Sequence, residues 1–177
     1  MVPPPPLKPD LVSNATEFKI LYAEDDIDDR IFLNESLVSN GLKADMVFVS
    51  NGEEAISYLE SSRNSKALPA LIILDLNMPK VDGRQTLSYL KKSPHFADIP
   101  VIILSTSESA TEKDFCKERG VVSYCTKPRD IAGYDAIVKT MVPYVNRHNW
   151  DSITDNHLYN TEPVWANTNL FYTRMMT

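Results

Sequence analysis

LIILDLNMPKVDG, residues 71–83, places four consecutive apolar residues, Leu71 to Leu74, directly before a carboxylate, Asp75. A short apolar run with no polar alternation fits a strand covered on both faces, as in a parallel sheet between two helical layers. Val101 to Leu104 repeats the pattern and ends at Ser105-Thr106. Each run is followed by a helical stretch.

Upstream, Phe18 to Ala23 is another apolar run, stopped by Glu24, Asp25 and Asp26. A helix over residues 28–40 turns Phe32, Leu33 and Leu37 inward, and Gly41 stands where a left-handed C-terminal cap is wanted. Ala44 to Val49 is β-branched and aromatic, and Asn51-Gly52 leads into a helix carrying Ala55, Ile56 and Leu59. A fifth strand is expected over Val121 to Cys125. The last helix, from near Tyr134, carries Ile137, Val138, Met141 and Val145 as one stripe, with a kink or end expected at Pro143. Five strand–helix units predict an α/β fold: a doubly wound parallel sheet with helices on both faces.

The 177 residues suffice for one core, and a net charge of −6 argues against a phosphate-backbone (nucleic-acid) binder. No apolar run approaches a membrane span, and no export signal is read, so neither nucleic acid nor membrane is an expected partner. Two cysteines, Cys116 and Cys125, indicate neither a disulfide framework nor a zinc cluster, and a cytoplasmic setting is expected. The proline-rich residues 1–17 read as a disordered leader. Residues 148–177 carry Trp150, Tyr159, Trp165, Phe171 and Tyr172, with three readings: a tail packed on its own domain, a clasp on a second subunit, or disorder.

In an open parallel sheet, ligands bind beyond the carboxyl ends of the strands. Glu24-Asp25, Asp75, Ser105-Thr106 and Lys127-Pro128 all fall there. Singly, each acid is most simply a cap or a solvated turn residue, Lys127 a surface lysine and Ser105 a turn former. Together, three converging carboxylates repel unless a hard cation neutralises them, and Mg2+ is the natural one. A carboxylate between a metal and a lysine is a competent nucleophile toward phosphorus.

Four blocks, ILYAEDD at 20–26, LIILDLNMPKVDG at 71–83, PVIILSTS at 100–107 and YCTKP at 124–128, resemble the receiver domains of two-component response regulators. The resemblance covers residues 18–147. It implies the flavodoxin-like receiver fold with strand order 2-1-3-4-5, and a response regulator that takes a phosphoryl group from a sensor histidine kinase. Asp75 matches the phosphoacceptor. Asp25 matches a direct Mg2+ (or Mn2+) ligand, Glu24 one acting through water, and Asn77 the backbone-carbonyl ligand. Lys127 and Ser105 match the remaining active-site positions, with Ser105 and Tyr124 as the switch pair, and Thr106 beside Ser105 is a further catalytic candidate. The complete set disfavours a receiver that signals without phosphate.

The resemblance further implies a cis Lys127–Pro128 bond, and output by protein contact through the face formed by helix four, strand five and helix five. The neutral Asn77 and Ser107 imply a phosphoryl group of intermediate lifetime. Arg129 departs from the aromatic or aliphatic residue often found after Lys-Pro, and is a candidate for a partner's acid. The loop over residues 61–69 and the LDLNMP wording look similar to stand-alone regulators that partner bacterial phytochrome kinases. Candidate partners are therefore such a kinase, a downstream protein target and a second copy of the chain; no enzymatic activity beyond self-phosphorylation and dephosphorylation is expected. A phosphatase or phosphotransferase with an aspartate nucleophile is the alternative, disfavoured because Asn77 stands where such enzymes usually place a second acid. A flavin or nucleotide binder is disfavoured by the acids of the first loop, which repel phosphate.

Overall fold

The structure, a computed structural model, describes residues 18–64 and 68–145. The elements alternate: β1 (Phe18–Ala23), α1 (Ile27–Ser39), β2 (Ala44–Val49), α2 (Gly52–Ser62), β3 (Leu71–Leu74), α3 (Gly83–Lys92), β4 (Val101–Ser105), α4 (Ala110–Glu118), β5 (Ser123–Thr126) and α5 (Ile131–Val145). All strand pairs are parallel, in the order β2-β1-β3-β4-β5. The expected sheet and order are both found.

The two-residue period of a strand divides the apolar runs between two cores. Leu21, Ala23, Ile72, Leu74, Val101 and Ile103 face a layer closed by Ala55 and Leu59 of α2, Leu87 and Leu90 of α3, and Cys116 of α4. Ile20, Tyr22, Leu71, Ile73, Ile102 and Leu104 face Leu33 and Leu37 of α1 and Tyr134, Val138 and Met141 of α5. Continuous apolarity in β3 and β4 follows, since both faces are covered; each fully buried Ile or Leu contributes about 1.5–3 kcal/mol.

Local chemistry sets the ends. Asp26 caps α1 by accepting from the Asp28 N–H at 2.8 Å, and Asp82 with Gln85 forms a reciprocal capping box on α3. Gly41 has the left-handed φ of 73° expected of it. Three boundaries differ from expectation. α1 begins at Ile27 rather than Asp28, because Asp26 is its cap. β5 begins at Ser123 rather than Val121, because the Val121 N–H bonds back to the Cys116 carbonyl and closes α4. α5 begins at Ile131, where Asp130 Oδ1 accepts from the Gly133 N–H at 3.0 Å, and it carries Pro143 internally. The expected leader (1–17) and the tail (148–177) lie outside the described residues, as do residues 65–67 of the 61–69 loop.

Candidate active site at the carboxyl edge of the sheet

Strand register brings the polar residues together. Ala23 of β1 lies opposite Leu74 of β3, so Glu24 and Asp75 emerge side by side. The Asp75 N–H donates to the Ala23 carbonyl and the Glu24 N–H to the Val49 carbonyl, both at 3.0 Å, which extends the ladder to the site itself. Across the other edge, Ser105 pairs with Thr126, and the Lys127 N–H donates to the Ser105 carbonyl at 2.9 Å.

The Lys127 ammonium is the centre of the arrangement. Its Nζ lies 2.6 Å from Glu24 Oε2, 2.8 Å from Asp29 Oδ2 and 3.0 Å from Asp75 Oδ2, so each of its three donors has a carboxylate. Glu24 is fully buried and Asp75 is 3% exposed, whereas Asp25 is exposed. Burial raises the Glu24 pKa above the ordinary carboxylate value, with Lys127 opposing and Asp75 adding to the shift. Burial alone would lower the lysine, but hydrogen bonds to Asp29 and Glu24 overcome it and hold Lys127 above its ordinary value, hence charged.

The carboxylates are fixed from behind. Tyr22 Oη donates to Glu24 Oε2 at 3.1 Å, and the Asp26 N–H donates to Glu24 Oε1 at 3.1 Å. Arg30 Nε donates to the Glu24 carbonyl at 2.8 Å. Asp75 Oδ1 accepts from the Asn77 N–H at 3.1 Å. The loop from Asp75 to α3 is tight: a Cβ on Gly83 would stand 2.0 Å from the Asp75 carbonyl oxygen, and Lys80 takes a φ of 62°, a left-handed conformation uncommon for a side-chain-bearing residue. Ser105 is buried and its Oγ accepts from the Ser107 N–H at 3.2 Å, while Thr106 is exposed. The half-buried Tyr124 donates its hydroxyl to the Ser107 carbonyl at 2.8 Å.

Glu24, Asp25 and Asp75 each offer an oxygen, and these atoms lie within 4.8 Å of one another. An all-carboxylate donor set suits a hard divalent cation rather than zinc, so the residues present fit the metal expected of them. One expectation is corrected: Lys127–Pro128 is trans, as is every peptide bond among the described residues, the isomer an X–Pro bond favours by about 0.5–1 kcal/mol. Arg129 is exposed. Sequence reasoning missed Asp29 and the hydroxyl of Tyr134, which donates to Asp29 Oδ1 at 2.6 Å. Asp29 reads as an ordinary acid of a helix first turn, and Tyr134 as part of an apolar stripe; neither carries a local signal of the contact.

The model for the response regulator receiver domain matches residues 20–139. Response regulator Rcp1 of Synechocystis sp. is 32% identical over 114 residues, 63% of this chain and 78% of that protein. The crystal structure of the phosphorylated cyanobacterial phytochrome response regulator RcpA is similar at 32% identity and a TM-score of 0.66, over 75% of this chain and 96% of that one. The Mn2+-bound form of Rcp1 is similar at 31% identity and a TM-score of 0.64, over 72% and 93%. Among the described residues no helix is long and apolar enough to cross a membrane.

Proposed function

The chain belongs to the response regulator receiver domain family, two-component signalling proteins, and from that premise we propose that Asp75 is the phosphoacceptor, charged by a sensor histidine kinase of the phytochrome type. The carrying observation is a nearly buried carboxylate, Asp75, that touches the Lys127 ammonium and also belongs to the cation-competent group with Glu24 and Asp25.

The transfer is an in-line displacement. An Asp75 oxygen forms the new O–P bond while the P–N bond of the donor phosphohistidine breaks, and the electron pair leaves with the imidazole nitrogen. Mg2+ or Mn2+, held by Asp25, Asp75 and the Asn77 carbonyl with Glu24 acting through water, would offset charge on the phosphoryl oxygens. Lys127 supplies the second positive charge. From the end of β4, the Ser105 hydroxyl and Thr106 would supply polar contacts to those oxygens.

Ser105 and Tyr124 form the switch in this reading. They already meet through Ser107, whose N–H bonds Ser105 and whose carbonyl bonds Tyr124. Movement of Ser105 toward a phosphoryl group changes that bridge, and Tyr124 turns inward, shifting the α4–β5–α5 surface between two packings. The output is protein contact with a downstream target, and a second copy of the chain is a candidate partner. No activity beyond self-phosphorylation and dephosphorylation is proposed, and the setting is the cytoplasm. The domain is read as residues 18–147.

Incubation with Mg2+ and a small phosphodonor tests the reading by comparing wild type with Asp75→Asn. Labelling of wild type alone is expected, with a larger oligomer on phosphorylation. Equal labelling would refute the assignment of Asp75, and an unchanged size would refute the dimer.

A further inference from the structure

We propose that Asp29 is a positioning residue for Lys127, anchored by Tyr134, which keeps the ammonium at the site when a cation takes over the other carboxylates; this rests on Asp75 being the phosphoacceptor. The three contacts of Lys127 are not equivalent. Glu24 and Asp75 belong to the group whose oxygens lie close enough to share a cation, and Asp29 does not. A divalent cation drawn to Glu24, Asp25 and Asp75 competes with the ammonium for two of its three partners and repels it. Without a further acid, a lysine on a flexible four-carbon stem would swing toward water.

Asp29 is built to prevent this. One oxygen holds Lys127 at 2.8 Å, and the other accepts from Tyr134 Oη at 2.6 Å. Tyr134 is fully buried on α5, with its ring 5.9 Å from that of Phe32 on α1. The carboxylate is thus pinned between the first turn of α1 and the inner face of α5, and its position does not depend on what occupies the acceptor site. The ammonium retains one donor on Asp29 and turns the other two toward the incoming phosphoryl oxygens. A fixed donor saves the reorganisation that a free lysine would require in the transition state.

Asp29→Asn and Tyr134→Phe, compared with wild type in Mg2+ and a small phosphodonor, test this. The initial labelling rate is expected to fall about tenfold in Asp29→Asn and about threefold in Tyr134→Phe, the scale of one charge-assisted hydrogen bond lost or loosened. Half-saturating Mg2+, read by calorimetry, should stay within about twofold. The direct signature is the Lys127 ammonium in nitrogen-15 NMR. In wild type its protons stay protected from exchange when Mg2+ is added, and in Asp29→Asn that protection disappears on addition of Mg2+. Wild-type labelling rates and unchanged protection in both variants would overturn the inference while leaving the acceptor assignment standing. An unlabelled wild type whose ammonium protection still depends on residue 29 would overturn the acceptor assignment alone. If Asp29→Asn does not fold, Tyr134→Phe, which keeps the buried ring, decides by the same two readouts.

Discussion

Gly83→Ala is the sharpest test of how α3 is seated against the end of β3 at Asp75. The added Cβ would lie 2.0 Å from the Asp75 carbonyl oxygen and 2.7 Å from Leu76 Cα, both backbone atoms. An ordinary carbon–oxygen contact is about 3.3–3.6 Å, so the two elements must separate by more than about 1 Å. Neither yields readily: β3 is paired on both sides, and α3 is held by its capping box and by Leu87 and Leu90 in the core. Overpacking against backbone belongs near the upper end of the usual range, about 3 kcal/mol, and alanine's helix propensity returns at most about 1 kcal/mol at a first helical position. The net loss of about 2 kcal/mol, at a urea slope of about 1–3 kcal/mol per molar, lowers the midpoint by about 1 M. Labelling of Asp75 should slow as well, because the displaced loop carries Asn77. Gly41→Ala is the control: its φ of 73° penalises a side chain by about 1–2 kcal/mol, but nothing lies within 4 Å, and labelling should be unaffected. A wild-type urea midpoint for Gly83→Ala would show that α3 does not press on the Asp75 carbonyl.

Burial pushes the Cys116 thiol up to about 11, so at pH 8 only about one thiol in a thousand is thiolate. Its modification by a thiol reagent should therefore follow unfolding in a urea series; stoichiometric labelling within seconds in buffer would contradict the packing of α4. Asp135 ties α5 to α1, accepting from Ser36 Oγ and from Asn40 Nδ2, the latter at 2.9 Å, and these bonds hold its pKa below the ordinary carboxylate value. A depressed acid contributes stability above its unfolded pKa and loses it as pH falls through the folded one. Asp135→Asn should thus lower the urea midpoint at pH 7 and converge with wild type in strong acid, and parallel curves at both pH values would exclude this linkage. Ser107→Glu should change the rate of phosphate release from the phosphorylated protein, since the Ser107 backbone bonds both Ser105 and Tyr124; identical release rates would remove position 107 from control of the lifetime.

The fold was legible because each apolar run is too short for a buried helix and stops at a polar residue. Leu71–Leu74 and Val101–Leu104 lack the alternation of a half-exposed strand, and a sheet covered on both faces accommodates runs of that length. The acidic group was legible because strand ends in such a sheet share an edge, so Glu24, Asp25, Asp75 and Lys127 are neighbours by topology. Asp29 and Tyr134 were not, since their contact joins residues 105 positions apart through helix packing, which no local pattern encodes. The start of β5 was misplaced for a related reason: Val121 has strand-like chemistry, but its N–H is spent on closing α4.

The pairing of α1 with α5 also bears on how the chain comes off the ribosome. The core layer under Ile20, Tyr22, Leu71, Ile73, Ile102 and Leu104 is closed by the first helix and the last. A chain that ends before residue 131 holds the sequences of all five strands but leaves half of that face without its cover, with Asp29 lacking Tyr134. Only with α5 present can the apolar face be covered and Tyr134 reach Asp29, so an incomplete chain is exposed to aggregation and lacks the hydroxyl that holds Asp29 beside Lys127.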